Sequence, residues 1–411
     1  MKGVILTIGD ELLIGQVLNS NTQWISQELT DLGIEVACHL TVRDEEQSIQ
    51  GGLDFLIPKC DYLIIGGGLG PTHDDLTLDA LSNYFKIPLQ FDQDWLAKLE
   101  EFFKSRNREM PENNKKQAYL LKDAIRIDND CGTAAGQHLR IQETEIFVVP
   151  GVPHEMKSMM KRYILPIMAH KNSSHQILKR TLLVTGIGES ALATRCDAFV
   201  KKVQARSDLS LAFLPSTTDV RLRLQMKSNQ PQSPLEFDSL VDELKAYCKS
   251  DFYGYEPLTL EELIIKSMSA SHTSLALAES CTGGLIAHRL TQIPGSSQVL
   301  KGSLVAYQNE IKINELGISA ELIEKSGAVS KAVAIAMAET IQKKWKVDLA
   351  LSTTGFLGPA GGKPNAPVGT VWIALASSKE TKALEFHFEN HRGRSKERAA
   401  QCGLDLLRRS L

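Results

Sequence analysis

The chain has no CxxC pair, no apolar run approaching the ~20 residues of a membrane-spanning helix, and no block of like charges. Each absence removes a class of protein. The seven cysteines (38, 60, 131, 196, 248, 281 and 402) are odd in number and scattered. That argues against a disulfide framework or a structural zinc site, and for a reducing cytoplasm. The opening stretch, MKGVILTIGDELL, is too short in apolar residues for a secretory signal and meets acids at once. With 46 Lys+Arg against 49 Asp+Glu, the formal net charge of −3 leaves no electrostatic footprint for nucleic acid. Internal repeats and low-complexity segments are absent too. What is present is the composition of a soluble globular protein, 43% hydrophobic and 23% charged, and 411 residues suggest two or three domains.

Residues 1–170 alternate strand and helix signals: KGVILTIG, the helical NSNTQWISQELTDLG, IEVACHLTV, the helical DEEQSIQGGLDFLIPK, then CDYLIIGGG. This order predicts an α/β domain with a parallel sheet whose ligands sit at the carboxyl ends of the strands. Residues 177–255 read β-α-β-β-α-β, a small ferredoxin-like α+β unit with SNQPQSP as an internal loop. Residues 258–411 form a third, α/β unit. It has strands LALAES, GSLVAYQ, DLALSTTG, TVWIALAS and ALEFHFEN, a helix beginning near Thr282, and a final helix with Ser395 as its expected N-cap.

Two constellations carry chemistry. In GGGLGPTHDDLT (66–77), glycines after a buried strand let backbone amides approach a phosphate or ribose, and Asp74 and Asp75 could hold a hard divalent cation. The bland alternative is a tight turn with an acidic helix start. Gly9, Asp10, Glu11, Asn19, Asn21 and the turn Pro150–Pro153–Glu155 leave strands at the same expected edge. In LALAESCTGG (275–284), Ser280 is either an N-cap or a nucleophile, with Cys281 as rival. Tyr307 and Lys312 in YQNEIK are candidate activators. Amides around Thr282, Gly283 and Gly284 are candidate anion donors. Gly358, in the loop TTGFLGPAGG, could clamp a ribose or phosphate. Arg394 and Arg398, one helical turn apart at a helix start, want an anion.

The motifs GDELLIGQVLNSNTQWIS, GGLGPTHDDLT, NNKKQA, VVPGVPHEM, TGIGES, AESCTGG, YQNEIK, GAVS, PVGT and GRSKER together resemble the CinA competence/damage-inducible family along nearly the whole chain. The resemblance implies an N-terminal molybdopterin-binding-like α/β sandwich that hydrolyses ADP-ribose with a divalent metal ion (Mg, Mn or Co). It implies a C-terminal α/β deamidase domain that converts nicotinamide mononucleotide to nicotinic acid mononucleotide and ammonia without a cofactor, and a homodimer. By the same resemblance Ser280 is the nucleophile, Tyr307 and Lys312 its activating partners, and Arg394 a phosphate ligand. Asn309 and Thr282 lie in matching positions, while Asp75 with Asp74, Gly67, Gly68, Gly70 and Thr72 lines the nucleotide and metal site. Two further roles stay open beside these: molybdopterin-type adenylyl transfer, and a non-catalytic accessory role in DNA uptake or repair. Where the family commonly has alanine, this chain has Leu357, expected to narrow the deamidase pocket; Ala135 likewise replaces a proline.

Overall fold

The computed structural model describes all residues except 173–175, 229–232, 365 and 390. Most of the SNQPQSP loop therefore lies outside the described residues. The chain divides into two compact units, Met1–Leu178 with Lys227–Ser233, and Lys179–Met226 with Pro234–Leu411.

In the first unit, strands Lys2–Ile8, Tyr62–Gly66 and Thr144–Val149 are almost wholly buried, as continuous apolar runs require when both sheet faces are covered. They pair in parallel, with Glu35–Val42 at one edge. Alternation divides their side chains. Val4, Leu6, Leu63 and Ile65 pack on Ile49, Leu53 and Leu81. On the other face Ile5, Ile64 and Phe147 pack on Ile25, Leu29, Met156 and Met160. The sheet is mixed rather than all parallel: Gly136–Ile141 and Ile125–Ile127 extend it antiparallel, the former joined to Thr144–Val149 by a tight turn at residues 142–143.

The second unit holds two sheets. The smaller one orders its strands Leu209–Pro215, Val220–Ser228, Gln176–Val184 and Phe252–Tyr255, the arrangement of a split β-α-β unit, with helices Asp197–Gln204 and Ser233–Cys248 supplying Phe199, Leu240 and Leu244 to its core. The larger sheet runs Leu300–Val305, Leu275–Glu279, Leu349–Gly355, Thr370–Ala376, Thr381–His387; the first three strands are parallel and the last two antiparallel. Helix Leu260–Ala270, closed by a Thr259/Glu262 capping box, and the final helix Arg392–Arg408 cover one face. Helix Lys331–Trp345 covers the other, its Ala334 and Ala338 lying close against Ala374 and Ala376.

Two boundaries differ from expectation. The final helix begins at Arg392 with His391 as N-cap; Ser395 is buried inside its first turn and donates to the Glu389 carbonyl (2.7 Å). The helix expected near Thr282 begins at Leu285, after a turn over residues 281–284. Among the described residues, no helix is long and apolar enough to cross a membrane.

Candidate functional site

The buried strand Leu275–Glu279 pairs with Leu300–Val305 on one side and Leu349–Gly355 on the other, so three parallel strands end at one edge. Backbone bonds lock this edge: Ser280 N–H donates to Thr353 O (2.9 Å) and Ala306 N–H to Glu279 O (2.8 Å). Glu279 is fully buried, and its carboxylate accepts from Ile286 N–H (3.2 Å), Ala287 N–H (2.9 Å) and Ser303 Oγ (3.3 Å). A negative charge thus takes up two orphan amides of helix Leu285–Thr291 and fixes the chain that leaves the strand. Those two amides are thereby occupied. Gly283 N–H is also used, donating to Ser280 O. Among the described residues, the amides of Cys281, Thr282 and Gly284 have no acceptor.

Ser280 and Lys312 are both buried, and Lys312 Nζ lies 3.0 Å from Ser280 Oγ. The same nitrogen reaches Ala306 O (2.8 Å) and Tyr307 O (3.4 Å). Burial pushes the Lys312 ammonium below the ordinary lysine value. A neutral amine suits this geometry: its two N–H bonds match the two carbonyls, which leaves the lone pair for the serine hydroxyl. Cys281 is buried as well, and burial pushes its thiol up to about 12, so it carries no thiolate at neutral pH.

The structure distributes the other expected residues unevenly. Thr282 is turned inward, its hydroxyl 2.7 Å from that of Thr353, and braces the turn. Tyr307 brings its carbonyl, not its hydroxyl, to Lys312; the exposed phenol accepts from Arg392 Nη2 (2.7 Å). Asn309 is exposed at the start of helix Asn309–Asn314 and makes no side-chain hydrogen bond among the described residues. The Gly358 carbonyl accepts from Arg392 Nη1 (2.9 Å). Gly283 has a left-handed φ of 56°, and a Cβ built on it would lie 3.4 Å from Lys396 Nζ. Leu357 is buried, in the same apolar core cluster as Leu404 and Leu407. Buried Ala135 likewise packs with Trp95 and Leu99.

Arg392 and Lys396, which the sequence reading passed over, therefore accompany Ser280, and Arg394 and Arg398 do not. The latter pair lies about 200° around the helix and lines a different cavity with Thr185 and Asp405. The missed signal is helical phase. Counting back from buried Gly403 and Ala399 in steps of three and four leads to Lys396 and Arg392.

In the first unit the loop after Tyr62–Gly66 is tied to itself. Asp75 Oδ2 accepts from Thr72 N–H (2.9 Å) and from the Thr72 hydroxyl. Gly68, at φ 64°, could carry no side chain, since a Cβ there would stand 2.2 Å from Thr77 Oγ1. The NNKKQA segment clasps the loop from outside: Lys116 Nζ donates to Asp75 O (2.5 Å) and Gln117 Nε2 to Leu69 O (3.1 Å). Gly67, Gly68 and Gly70 line this turn, and Asp74 is exposed.

Three strand ends meet here. Asn21 Nδ2 donates to Gly151 O (2.6 Å), and its buried Oδ1 has no partner among the described residues. Asp10 N–H donates to Asp44 (2.8 Å). Burial, with Glu11, Asp10 and Asp74 nearby, raises the Asp44 carboxyl above its usual range. Asn19 caps helix Ser20–Asp31, Pro153 opens helix Pro153–Met159, and Glu155 accepts from Asn129 (2.6 Å). Among the described residues no three His, Cys, Asp or Glu side chains form a metal cage. The donor set fits a hard cation completed by substrate phosphates, since Asp74 is exposed and Asp75 keeps one oxygen unshared.

Comparison with known proteins covers the chain in three pieces. Residues 258–411 match the family described as CinA C-terminal domain, residues 4–170 the probable molybdopterin binding domain, and residues 179–254 the damage-inducible protein CinA KH domain. A CinA-like protein of Salinibacter ruber is 38% identical over 412 residues, spanning 100% of both chains. One of Chloroherpeton thalassium is 39% identical over 420 residues, spanning 100% of this chain and 99% of its own. Among solved structures, the competence/damage inducible protein CihA from Agrobacterium tumefaciens shares 33% identity with a TM-score of 0.35, covering 36% of this chain and 91% of that one. With such identity along its whole length, the chain belongs to the CinA family of competence/damage-inducible proteins.

Proposed function

We propose that the C-terminal domain is an amidohydrolase acting on the carboxamide of nicotinamide mononucleotide, releasing ammonia and leaving nicotinic acid mononucleotide. The observation that carries this reading is the buried Ser280–Lys312 pair, 3.0 Å apart, with Lys312 held by two carbonyls. Ser280 Oγ attacks the carboxamide carbon as its proton passes to Lys312 Nζ. The developing oxyanion takes up free amides at Cys281 and Thr282. Lys312 returns the proton to the departing nitrogen, ammonia leaves, and an acyl-serine remains. Water then attacks that ester as Lys312 takes its proton, the Ser280 Oγ–acyl bond breaks, and Lys312 returns the proton to Ser280 Oγ as the carboxylic acid departs. Arg392 and Lys396 supply the positive charge for the substrate phosphate at the mouth.

The test is ammonia release from nicotinamide mononucleotide by the full chain, with Ser280→Ala alongside. Release by the wild type alone is expected; equal release by Ser280→Ala would overturn the assignment.

For the first unit we propose hydrolysis of ADP-ribose to AMP and ribose 5-phosphate. A divalent cation would be held by Asp74 and Asp75 together with the diphosphate, and would supply charge neutralisation. The glycine loop cradles the phosphates, and the unpartnered Asn21 Oδ1 offers an acceptor to a ribose hydroxyl. The match of residues 4–170 to a molybdopterin binding domain favours a second reading, in which the same loop binds a pterin. Supplying ADP-ribose in one assay, and molybdopterin with ATP in another, separates the two by which substrate is consumed.

A further inference from the structure

A cavity of about 1100 Å³ lies within the second unit, between the smaller sheet's loops and the flank of the final helix. It exceeds the usual volume of a small-molecule site, roughly 300–1,000 Å³. Its walls are held by a polar network that satisfies itself. Arg409 bonds Asp405 (2.7 Å) and Asp251 (2.8 Å), Arg195 also bonds Asp251 (2.8 Å), Arg408 bonds Asp405, and Gln401 reaches the Thr185 hydroxyl (3.1 Å). Asp219 is taken up by Tyr253 (3.0 Å) and Ser216.

Two cations on the same wall stand outside this network. Among the described residues, the guanidinium groups of Arg394 and Arg398 have neither a carboxylate within ion-pair range nor a hydrogen-bond acceptor. They sit one helical turn apart on the side of the helix turned away from Ser280, so the site drawn above does not use them. Beside them is an aromatic platform. Phe386, on the edge strand, and Phe388, just past its end, have parallel rings 6.0 Å apart, and Arg398 lies 5.4 Å over Phe388. Paired guanidiniums recognise phosphate oxygens, and flat rings stack on aromatic and guanidinium planes.

We propose that this cavity binds a phosphate-bearing small molecule with a planar ring, of mononucleotide size, at a site separate from Ser280. The phosphate lies between Arg394 and Arg398 and the ring lies on the phenylalanine platform. Glu189 and Glu389, exposed carboxylates on the same walls, repel a polyphosphate or a nucleic-acid strand and so select a single phosphate. Because one helix presents Arg392 and Lys396 to Ser280 and Arg394 and Arg398 to the cavity, a ligand here sits on the element that completes the proposed amidohydrolase site.

Hydrogen–deuterium exchange on the full chain tests this, because it reports where a ligand sits. With adenosine monophosphate as probe at millimolar concentration, exchange is expected to slow over residues 185–189 and 216–220. The double variant Arg394→Gln/Arg398→Gln should lose this protection, its apparent affinity falling about 10- to 100-fold as charge-assisted bonds are removed. Both arginines are exposed, so folding should survive, and an unchanged thermal melt checks it. Arg392→Gln should keep the protection. Slowing confined to other segments, equal slowing in the double variant, or equal slowing by adenosine lacking phosphate would each overturn the proposal.

Discussion

The Ser280 edge and the Asp75 loop occupy the same place in their sheets, at the carboxyl ends of adjacent parallel strands, yet they are finished to different degrees. Around Ser280 the chain supplies everything itself: a buried amine at 3.0 Å, carbonyls that hold it, and a buried carboxylate that pins the following helix. Around Asp75 the side chains of Asp10, Glu11 and Asp74 are exposed, several groups carry like charge, and among the described residues one acceptor in Asn21 has no partner. The proposed chemistry of the first site asks for no further group, whereas that of the second asks for a cation to offset its carboxylates.

The sharpest way to break this contrast is Lys312→Met. Loss of the proton acceptor should lower ammonia release by about 10²- to 10⁴-fold without touching ADP-ribose turnover, and parallel assays of one preparation decide it. The pH profile carries the same information. The folded Lys312 value is lowered, so the acceptor form grows as pH rises, and wild-type turnover should climb with pH through that lowered value. Stability should move the same way. Between the lowered folded value and the ordinary 10.5 the unfolded chain binds the extra proton. Stability gained from the neutral amine is therefore lost as pH falls through the folded value, and Lys312→Met removes that slope.

Chelation gives the converse result. Excess EDTA should silence ADP-ribose hydrolysis and leave ammonia release intact. Asp75→Asn keeps the shape of the loop while removing a charge, and should cost about 10- to 100-fold in ADP-ribose turnover, the usual scale for disturbing groups around a metal. A loss of ammonia release on chelation would end the view of the Ser280 edge as self-sufficient.

A smaller effect separates two arginines. Arg392→Gln should raise KM for nicotinamide mononucleotide about tenfold, the lower range for a charge-assisted bond, with kcat less affected. Arg394→Gln should leave KM within about twofold, because its distance from Ser280 around the helix makes it a surface change there.

That pair also marks the limit of what the sequence disclosed. The strands were legible because buried runs such as LALAES and YLIIG read as covered strands, while Ser280 at a strand end and Lys312 in the helix after the next strand were legible as candidates, with an N-cap role for Ser280 left open. The final helix was read with Ser395 as its cap, four residues late, since serine is a favoured cap and histidine is not. The late start left Arg392 outside the expected helix, while Arg394 was chosen for its spacing from Arg398 and by family resemblance. Side-chain direction was equally hidden. Thr282 and Tyr307 carry the right chemistry, but one hydroxyl faces Thr353 and the other Arg392, and motif spacing does not encode that rotation. The antiparallel strands of the first sheet were missed because Gly136–Ile141 and Ile125–Ile127 are short and half polar.

Each site is stapled by one threonine hydroxyl, and these two bonds give the smallest and most discriminating comparison. Thr282 meets Thr353 in the interior at 2.7 Å, with both residues buried. In Thr282→Val the volume is kept and the Thr353 hydroxyl loses its partner, which should cost about 1–3 kcal/mol of stability. Thr72 meets Asp75 at the surface, where water replaces the lost bond. Thr72→Val should therefore leave denaturant stability within about 0.5 kcal/mol, while holding the Asp75 side chain by the backbone N–H of residue 72 alone and lowering ADP-ribose turnover. If Thr72→Val unfolds the first unit as readily as Thr282→Val unfolds the second, the Asp75 loop is a structural staple, and its open carboxylates do not await a ligand.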